Sequence, residues 1–77
     1  MAEFPSLKAK QLLKVLEADP LNYRTTRQAG SHRRMQADGR PPLTWAFHDR
    51  RTLAPGEVRR VLVNHVGLAE DEARRLL

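Results

Sequence analysis

The chain has 77 residues and no cysteine, so it is long enough for one domain and has neither disulfide bridges nor thiolate metal sites. No apolar run approaches the length of a membrane span, and the N-terminus lacks the apolar segment of a signal peptide. We therefore expect a single cytoplasmic domain over residues 1–77, with no membrane, metal or cofactor site.

The net charge of +5 comes from the middle of the chain. Residues 1–20 carry three lysines and three acidic residues, and residues 52–77 carry four arginines and four acidic residues, so both segments are neutral. Residues 21–51 carry seven arginines and only two aspartates. Guanidinium groups bind phosphates through paired hydrogen bonds, so this excess predicts a surface for a nucleic acid. The candidate contacts in this segment are Arg24, Arg27, Arg33, Arg34, Arg40, Arg50 and Arg51.

The first predicted element is an amphipathic helix. Ser6 is a suitable N-cap, and apolar residues recur at helical spacing from Ala9 to Leu16. Pro20 disfavours a helical conformation for the residue before it, so this helix ends at or before Asp19.

Two strands are predicted to follow the helix. Asn22 tolerates the left-handed backbone that is useful after a helix, and Tyr23–Thr26 favours a strand. Gly30 ends that strand, and residues 31–37 form the second.

A hairpin leads to the third predicted strand. Asp38 and Gly39 are typical of a tight turn, and together with Arg40 they give a three-residue loop. Beyond the loop, Leu43, Trp45 and Phe47 alternate with small or polar residues, which is typical of a half-buried strand.

The alternation of side chains between the two faces of a strand places both histidines of this region on the solvent side. Met35 is the only large apolar residue of the second strand, and His32 lies three positions before it, on the opposite face. If Trp45 faces the core, His48 faces away from it. Tyr23 and Trp45 are then expected in the core rather than as platforms for stacked bases.

Two helices complete the predicted fold. Apolar residues recur at helical spacing from Pro55 to Val66, and Gly67 is placed to end this second helix. Acidic residues 70–72 begin a short last helix, and arginines 74 and 75 end it, as the helix dipole favours. The order indicates a two-layer α+β domain with one antiparallel sheet covered by helices on one face. The α-β-β-β-α arrangement resembles the double-stranded RNA-binding fold.

The residues Arg27-Gln28-Ala29-Gly30-Ser31-His32 resemble the R-x-x-G-S-H signature of the HicA messenger-RNA interferase family. The likeness covers residues 6–77 and continues through Asp38-Gly39, His48, Leu53-x-x-Gly56, Val61-Leu62 and Gly67-Leu68. Three positions depart from the family pattern. Asn22 replaces a glycine, Ala46 replaces the proline of the P-x-H position, and Arg33 stands where the family often has an apolar residue.

The resemblance implies a toxin of a type II toxin–antitoxin system that cleaves messenger RNA with His32 as its catalytic residue. Cleavage of RNA without a metal needs a group that transfers protons and positive charge near the phosphate oxygens, which a histidine among arginines supplies. The resemblance also implies a HicB-type antitoxin partner, which we expect to cover the face around His32. We assign His48 to RNA binding, and whether it also donates a proton, stacks on a base or only ends the strand stays open. His65 is expected to be structural.

Two other functions remain open from the residues alone. A non-catalytic double-stranded RNA-binding module would recognise the shape and phosphates of the duplex and would be indifferent to the loss of His32. A small DNA-binding regulator would need polar side chains that read bases from an exposed helix. For that role the second helix offers Arg59, Arg60 and Asn64.

Overall fold

The computed structural model describes residues 4–46, 48 and 50–77. In chain order the elements are β1 (Leu7–Lys8), α1 (Ala9–Glu17), β2 (Arg24–Ala29), β3 (His32–Gln36), β4 (Leu43–Trp45), β5 (Thr52–Leu53), α2 (Pro55–Arg59), a π-helical segment (Arg60–His65) and α3 (Glu70–Arg75). Strands β2, β3 and β4 form an antiparallel sheet in that order, and β1 pairs with β5 in a separate two-stranded ladder. The predicted α+β class is confirmed, and the arrangement is compatible with a double-stranded RNA-binding fold.

The first helix begins at Ala9, so the prediction that Ser6 caps it is wrong. The two residues that precede Ala9 are extended, because they pair with β5. Lys8 is the N-cap residue, and its backbone N–H donates a hydrogen bond to Oε1 of Gln11 at 2.9 Å. After the helix, Asn22 adopts a φ of 54°, the left-handed conformation expected there.

A two-residue turn joins β2 to β3. Ala29 pairs with His32 across the turn, so Gly30 and the serine after it form the whole connection. Gly30 has a φ of 61°, which glycine adopts without steric cost. In β2 the register shifts between Thr25 and Arg27, which makes a β-bulge at the residue between them.

The hairpin from β3 to β4 confirms the predicted three-residue loop. Met35 pairs with Leu43, which leaves residues 38–40 as the loop when the same register is continued. Gly39 in this loop has a φ of 71°. The third strand is shorter than predicted, because β4 ends at Trp45. Phe47 lies outside the described residues.

The second helix changes its winding halfway along. It begins at Pro55 in the α form and continues from Arg60 to His65 as a π-helix. In keeping with this wider turn, the N–H of Val66 donates to the carbonyl oxygen of Val61, five residues earlier, at 2.9 Å. Gly67 follows with a φ of 90° and ends the helix as predicted.

One hydrophobic core lies between the helices and one face of the three-stranded sheet. Tyr23 and Trp45 are each 2% exposed, which confirms that both belong to the core. The largest fully buried side chains are Leu12, Leu16, Leu21, Met35, Leu53, Leu62 and Val58. No helix in the described ranges is long and apolar enough to cross a membrane.

Candidate nucleic-acid interface

The solvent-facing side of the three-stranded sheet, here called the outer face, carries His32. Met35 and Trp45 are buried on the opposite side, beneath the helices. Strand alternation then places His32 and Arg34 on the outer face, and both are exposed. Thr44, which pairs with Arg34, is exposed on the same side. The prediction that His32 faces solvent is confirmed.

The bulge in β2 brings two arginines onto the outer face. Arg24 and Arg27 are three residues apart, so in a regular strand their side chains would point to opposite sides. The extra residue in the bulge is Thr26, whose hydroxyl donates a hydrogen bond to the carbonyl oxygen of Arg34 at 3.2 Å. Arg24 pairs with Gln36 and Arg27 pairs with Arg34, so both arginines share the side that carries His32.

Arg27 and Arg34 are directly opposite each other across β2 and β3. Like charges in this arrangement destabilise a sheet. The ion pairs among the described residues involve Arg51, Arg59 and Arg74, and none involves an arginine of the outer face. The positive charge of this face is therefore available to an anion from outside the molecule.

His32 lies at the end of the outer face where the Gly30 turn joins β2 to β3. It is the first residue of β3 after the Gly30 turn, and its cross-strand partner is Ala29, whose side chain is a single methyl group. Its imidazole makes no hydrogen bond or ion pair with any other residue that the structure describes. Arg34, two residues along the same strand, projects from the same side at a distance of about 7 Å between Cα atoms. A phosphate that contacts Arg34 is thus close to the imidazole.

The remaining predicted contacts of the sheet region are more dispersed. Arg33 pairs with Trp45 on the helix-facing side and is half-buried, so it does not belong to the outer face. Arg24 and Arg40 line a small hollow of about 240 Å³ at the end of the sheet remote from His32. The sheet therefore presents its exposed arginines from one end to the other.

The last three predicted contacts are His48, Arg50 and Arg51, which follow β4 and have different surroundings. The strand ends before His48, so the strand alternation that placed this exposed histidine beside His32 does not extend to it. Arg51 forms an ion pair with Glu57, with 2.8 Å between Nη1 and Oε2. The backbone N–H of Ala54 and the guanidinium group of Arg51 both hold the pKa of Glu57 below its ordinary value. Arg50 lies apart from the outer face, beside the lysines of α1.

Two features were not anticipated from the sequence. Lys8, Lys10 and Lys14 gather with Arg50 around an open concavity, although their segment of the chain has no net charge. A groove of about 220 Å³ runs between β4 and the second helix, with Arg60, Val61 and His65 on the helical side. The helical spacing of Lys10 and Lys14 is a signal for the first feature. No signal in the sequence indicates the groove, because it depends on how two distant elements pack.

No group of three or more histidine, aspartate or glutamate side chains within the described residues is arranged to hold a metal ion. The outer face thus offers one imidazole and several guanidinium groups. The guanidinium groups can bind phosphates and stabilise negative charge on phosphate oxygens, and the imidazole can accept or donate a proton.

Comparison with known proteins gives one match. The family model for the HicA toxin of bacterial toxin–antitoxin systems matches residues 9–68, which extend from the start of α1 to the residue after Gly67. The match includes His32 and the arginines of the outer face. No curated protein matches the chain, and no solved structure does. The chain therefore belongs to the HicA toxin family of bacterial toxin–antitoxin systems.

Proposed function

We propose that this protein is an endoribonuclease that cleaves messenger RNA in the cytoplasm and so blocks translation. The observation that carries the proposal is an exposed histidine at the end of a row of exposed arginines that have no ion-pair partner among the described residues. Membership of the HicA toxin family supports it, because the chain matches that family across His32.

The arginines of the outer face bind the RNA backbone. Arg27 and Arg34 face each other across the strands, so their guanidinium groups can hold one phosphate between them. Arg24 and Arg40, at the remote end of the sheet, extend the contact to further phosphates. Such contacts are independent of base sequence, so the outer face gives affinity and position rather than base specificity.

His32 supplies the proton transfer for cleavage. The imidazole takes the proton of the ribose 2′-hydroxyl, and the freed oxygen attacks the adjacent phosphorus. A bond forms between O2′ and phosphorus while the bond from phosphorus to O5′ breaks, and the leaving O5′ takes a proton from water. The products are a 2′,3′-cyclic phosphate and a 5′-hydroxyl end. Arg27 and Arg34 stabilise the negative charge that builds on the phosphate oxygens during the attack.

A HicB-type antitoxin is the partner that would silence this activity. The outer face is strongly cationic and contains the proposed catalytic group, so an acidic or neutral surface that covers it blocks both RNA binding and proton transfer. We propose that the antitoxin occupies the space around His32. The antitoxin would then contact the bulged β2–β3 hairpin.

The test of the proposed function is His32→Ala, with His65→Ala as the matched control. His32 is exposed at a strand end, so its truncation leaves no cavity and little stability is lost. We expect cleavage of RNA by His32→Ala to fall by about 10²–10⁴-fold while RNA affinity stays close to that of the original protein. His65 is also exposed but lies on the second helix, and its replacement should leave cleavage unchanged.

Two further conditions test the chemistry. A 2′-deoxy substitution at the scissile nucleotide should block cleavage without preventing binding, because it removes the attacking hydroxyl. Chelation of divalent cations should leave cleavage intact. If His32→Ala still cuts RNA and still stops growth, the catalytic site lies elsewhere. If the original protein binds RNA but never cuts it, a non-catalytic RNA-binding module is the correct function.

A further inference from the structure

A second group of cations lies away from the outer face, along α1 and the residues beside it. Lys8, Lys10, Lys14 and Arg50 line an open concavity of about 780 Å³ together with Gln11, and we call this the lysine concavity. Among the residues that the structure describes, no carboxylate lines it. No ion pair in the described part of the chain involves any of its four cations.

Two charges of the lysine concavity repel each other along α1. Lys10 and Lys14 are four residues apart, so their ammonium groups lie on the same side of the helix and repel each other. The first turn of α1 contains no acidic residue, so the charge of Lys10 also faces the positive end of the helix dipole, whereas Lys14 is on the last turn. Glu17 is on the last turn and does not line the concavity. Cations that repel each other and have no described partner favour an anionic ligand.

The chain that connects β4 to the start of α1 limits how far the lysine concavity can lie from His32. Strand β4 ends at Trp45, beside the start of β3, where His32 lies. Residues 46–50 then lead to Arg51, whose carbonyl oxygen accepts a hydrogen bond of 2.8 Å from the N–H of Ala9 at the start of α1. Six residue steps span at most about 20 Å, which is the reach of a few nucleotides of an RNA strand.

We infer that the lysine concavity binds the phosphate backbone of the RNA strand that is cleaved at His32, a few nucleotides from the scissile bond. This inference rests on the proposed function. The lining of lysine, arginine and glutamine side chains has no apolar anchor of the kind that the centre of a protein–protein interface needs. A flexible, evenly charged backbone matches such a surface, whereas an acidic protein segment would find no pocket for its side chains.

The test is RNA binding in a His32→Ala background, where the RNA stays intact. Two oligonucleotides are used, one of about two nucleotides, too short to reach both surfaces, and one of roughly 20. The variant is Lys10→Ala with Lys14→Ala, and Arg60→Ala with Arg75→Ala is the control that removes two exposed charges from the other helices. We expect the lysine variant to weaken binding of the long RNA about ten-fold at low salt and to reduce the log–log salt slope by about 1.4. Binding of the short RNA, and of both RNAs to the control, should not change.

Three outcomes would overturn the inference. If the lysine variant binds the long RNA with unchanged affinity and salt slope while the original protein cleaves RNA, the inference is wrong and the proposed function stands. If the lysine variant loses the short and the long RNA equally, the concavity is not a separate contact. If neither RNA binds to the His32→Ala parent, the proposed function fails as well, and binding of a polyglutamate peptide at the lysines would assign the concavity to an acidic protein.

Discussion

Arg27 and Arg34 have opposite effects on stability and on binding. They are paired directly across β2 and β3, and the geometry of an antiparallel ladder brings their side chains together. Repulsion between them destabilises the free protein, and no described carboxylate relieves it. A bound phosphate would turn the repulsion into two attractive contacts. The same pair of residues therefore weakens the fold and prepares the anion site.

Arg27→Gln should stabilise the free protein and weaken RNA binding at the same time. Removal of the like-charge pair should raise the free energy of unfolding by about 0.5 kcal/mol, measured by urea denaturation at low salt. One lost phosphate contact should reduce the magnitude of the salt slope for RNA binding by about 0.7. Arg75→Gln, which changes an exposed arginine on α3, is the control and should alter neither quantity. A loss of stability in Arg27→Gln would show that Arg27 supports the sheet instead of straining it.

At the scale of the elements, local signals located the helices and the turns, although they indicated neither the N-cap of α1 nor the π-helical winding of Arg60–His65. The apolar spacing from Ala9 to Leu16, the Asp38-Gly39 pair and Gly67 each reflect a requirement of the backbone or the core within a few residues. The position of His32 follows from the same kind of signal. Gly30 supplies the positive φ of the turn, and the strand that begins after the turn carries the histidine outward.

Three features of the strands could not be predicted because they depend on distant partners. The ladder of β1 with β5 joins residues that are more than forty positions apart, and only two pairs form it. The bulge at Thr26 depends on the register with β3, so the face of Arg24 is not fixed by β2 alone. The end of β4 at Trp45 has no clear break in the sequence, since the alternating pattern continues to His48.

Tyr23 holds the start of the sheet to the β3–β4 loop. Its hydroxyl donates a hydrogen bond of 2.7 Å to the carbonyl oxygen of Pro41, and the side chain is 2% exposed. We expect Tyr23→Phe to lower the free energy of unfolding at pH 7 by about 1 kcal/mol, because the carbonyl oxygen loses its partner. The loss should be measured by urea denaturation, and RNA affinity at pH 7 should change little.

Tyr23 also makes the free energy of unfolding depend on pH in the alkaline range. Burial raises the pKa of Tyr23 above its ordinary value of 10.0, and the nearby positive charge of Arg40 only partly offsets this effect. The folded state therefore keeps the phenol proton at a pH where the unfolded chain loses it. This contribution to stability is complete below pH 10 and is lost as pH rises through the pKa of the folded state. The difference in stability between the original protein and Tyr23→Phe should shrink above pH 10. A constant difference would mean that the phenol does not titrate differently in the two states.

Across the whole molecule, paired and unpaired charges are separated. The described ion pairs all lie between Arg51 and Arg74, where Glu70 accepts from Arg59 and lies 3.8 Å from Arg74. The hydrogen bond from Arg59 lowers the pKa of Glu70, so this network persists to a pH below the ordinary range of a glutamate. The outer face and the lysine concavity carry cations without such partners. A count of charge along the chain found the first of these regions and missed the second, because Glu17 and Asp19, which offset two of the lysines in the sequence, do not line the concavity.

This separation decides where a HicB-type antitoxin should bind. A partner that docks on the outer face gains from long-range attraction, so its association rate should fall steeply as salt is raised. It should also exclude RNA, since both ligands need Arg27 and Arg34. A partner on the side of the second helix and α3 would meet the ion pairs of Arg59 and Arg74 and would leave the outer face open to RNA.

Two of the three exposed histidines, His32 on β3 and His65 on the second helix, allow this to be measured. In the free protein, diethyl pyrocarbonate should modify both His32 on β3 and His65 on the second helix, because both side chains are exposed. In the complex with the antitoxin, His32 should become resistant while His65 stays reactive, and amide exchange should slow in β2 and β3 but not in α3. Protection of His65 with His32 still reactive would place the antitoxin on the helical side. Inhibition would then have to act through a conformational change in the sheet. The arginines of the outer face would remain open to RNA.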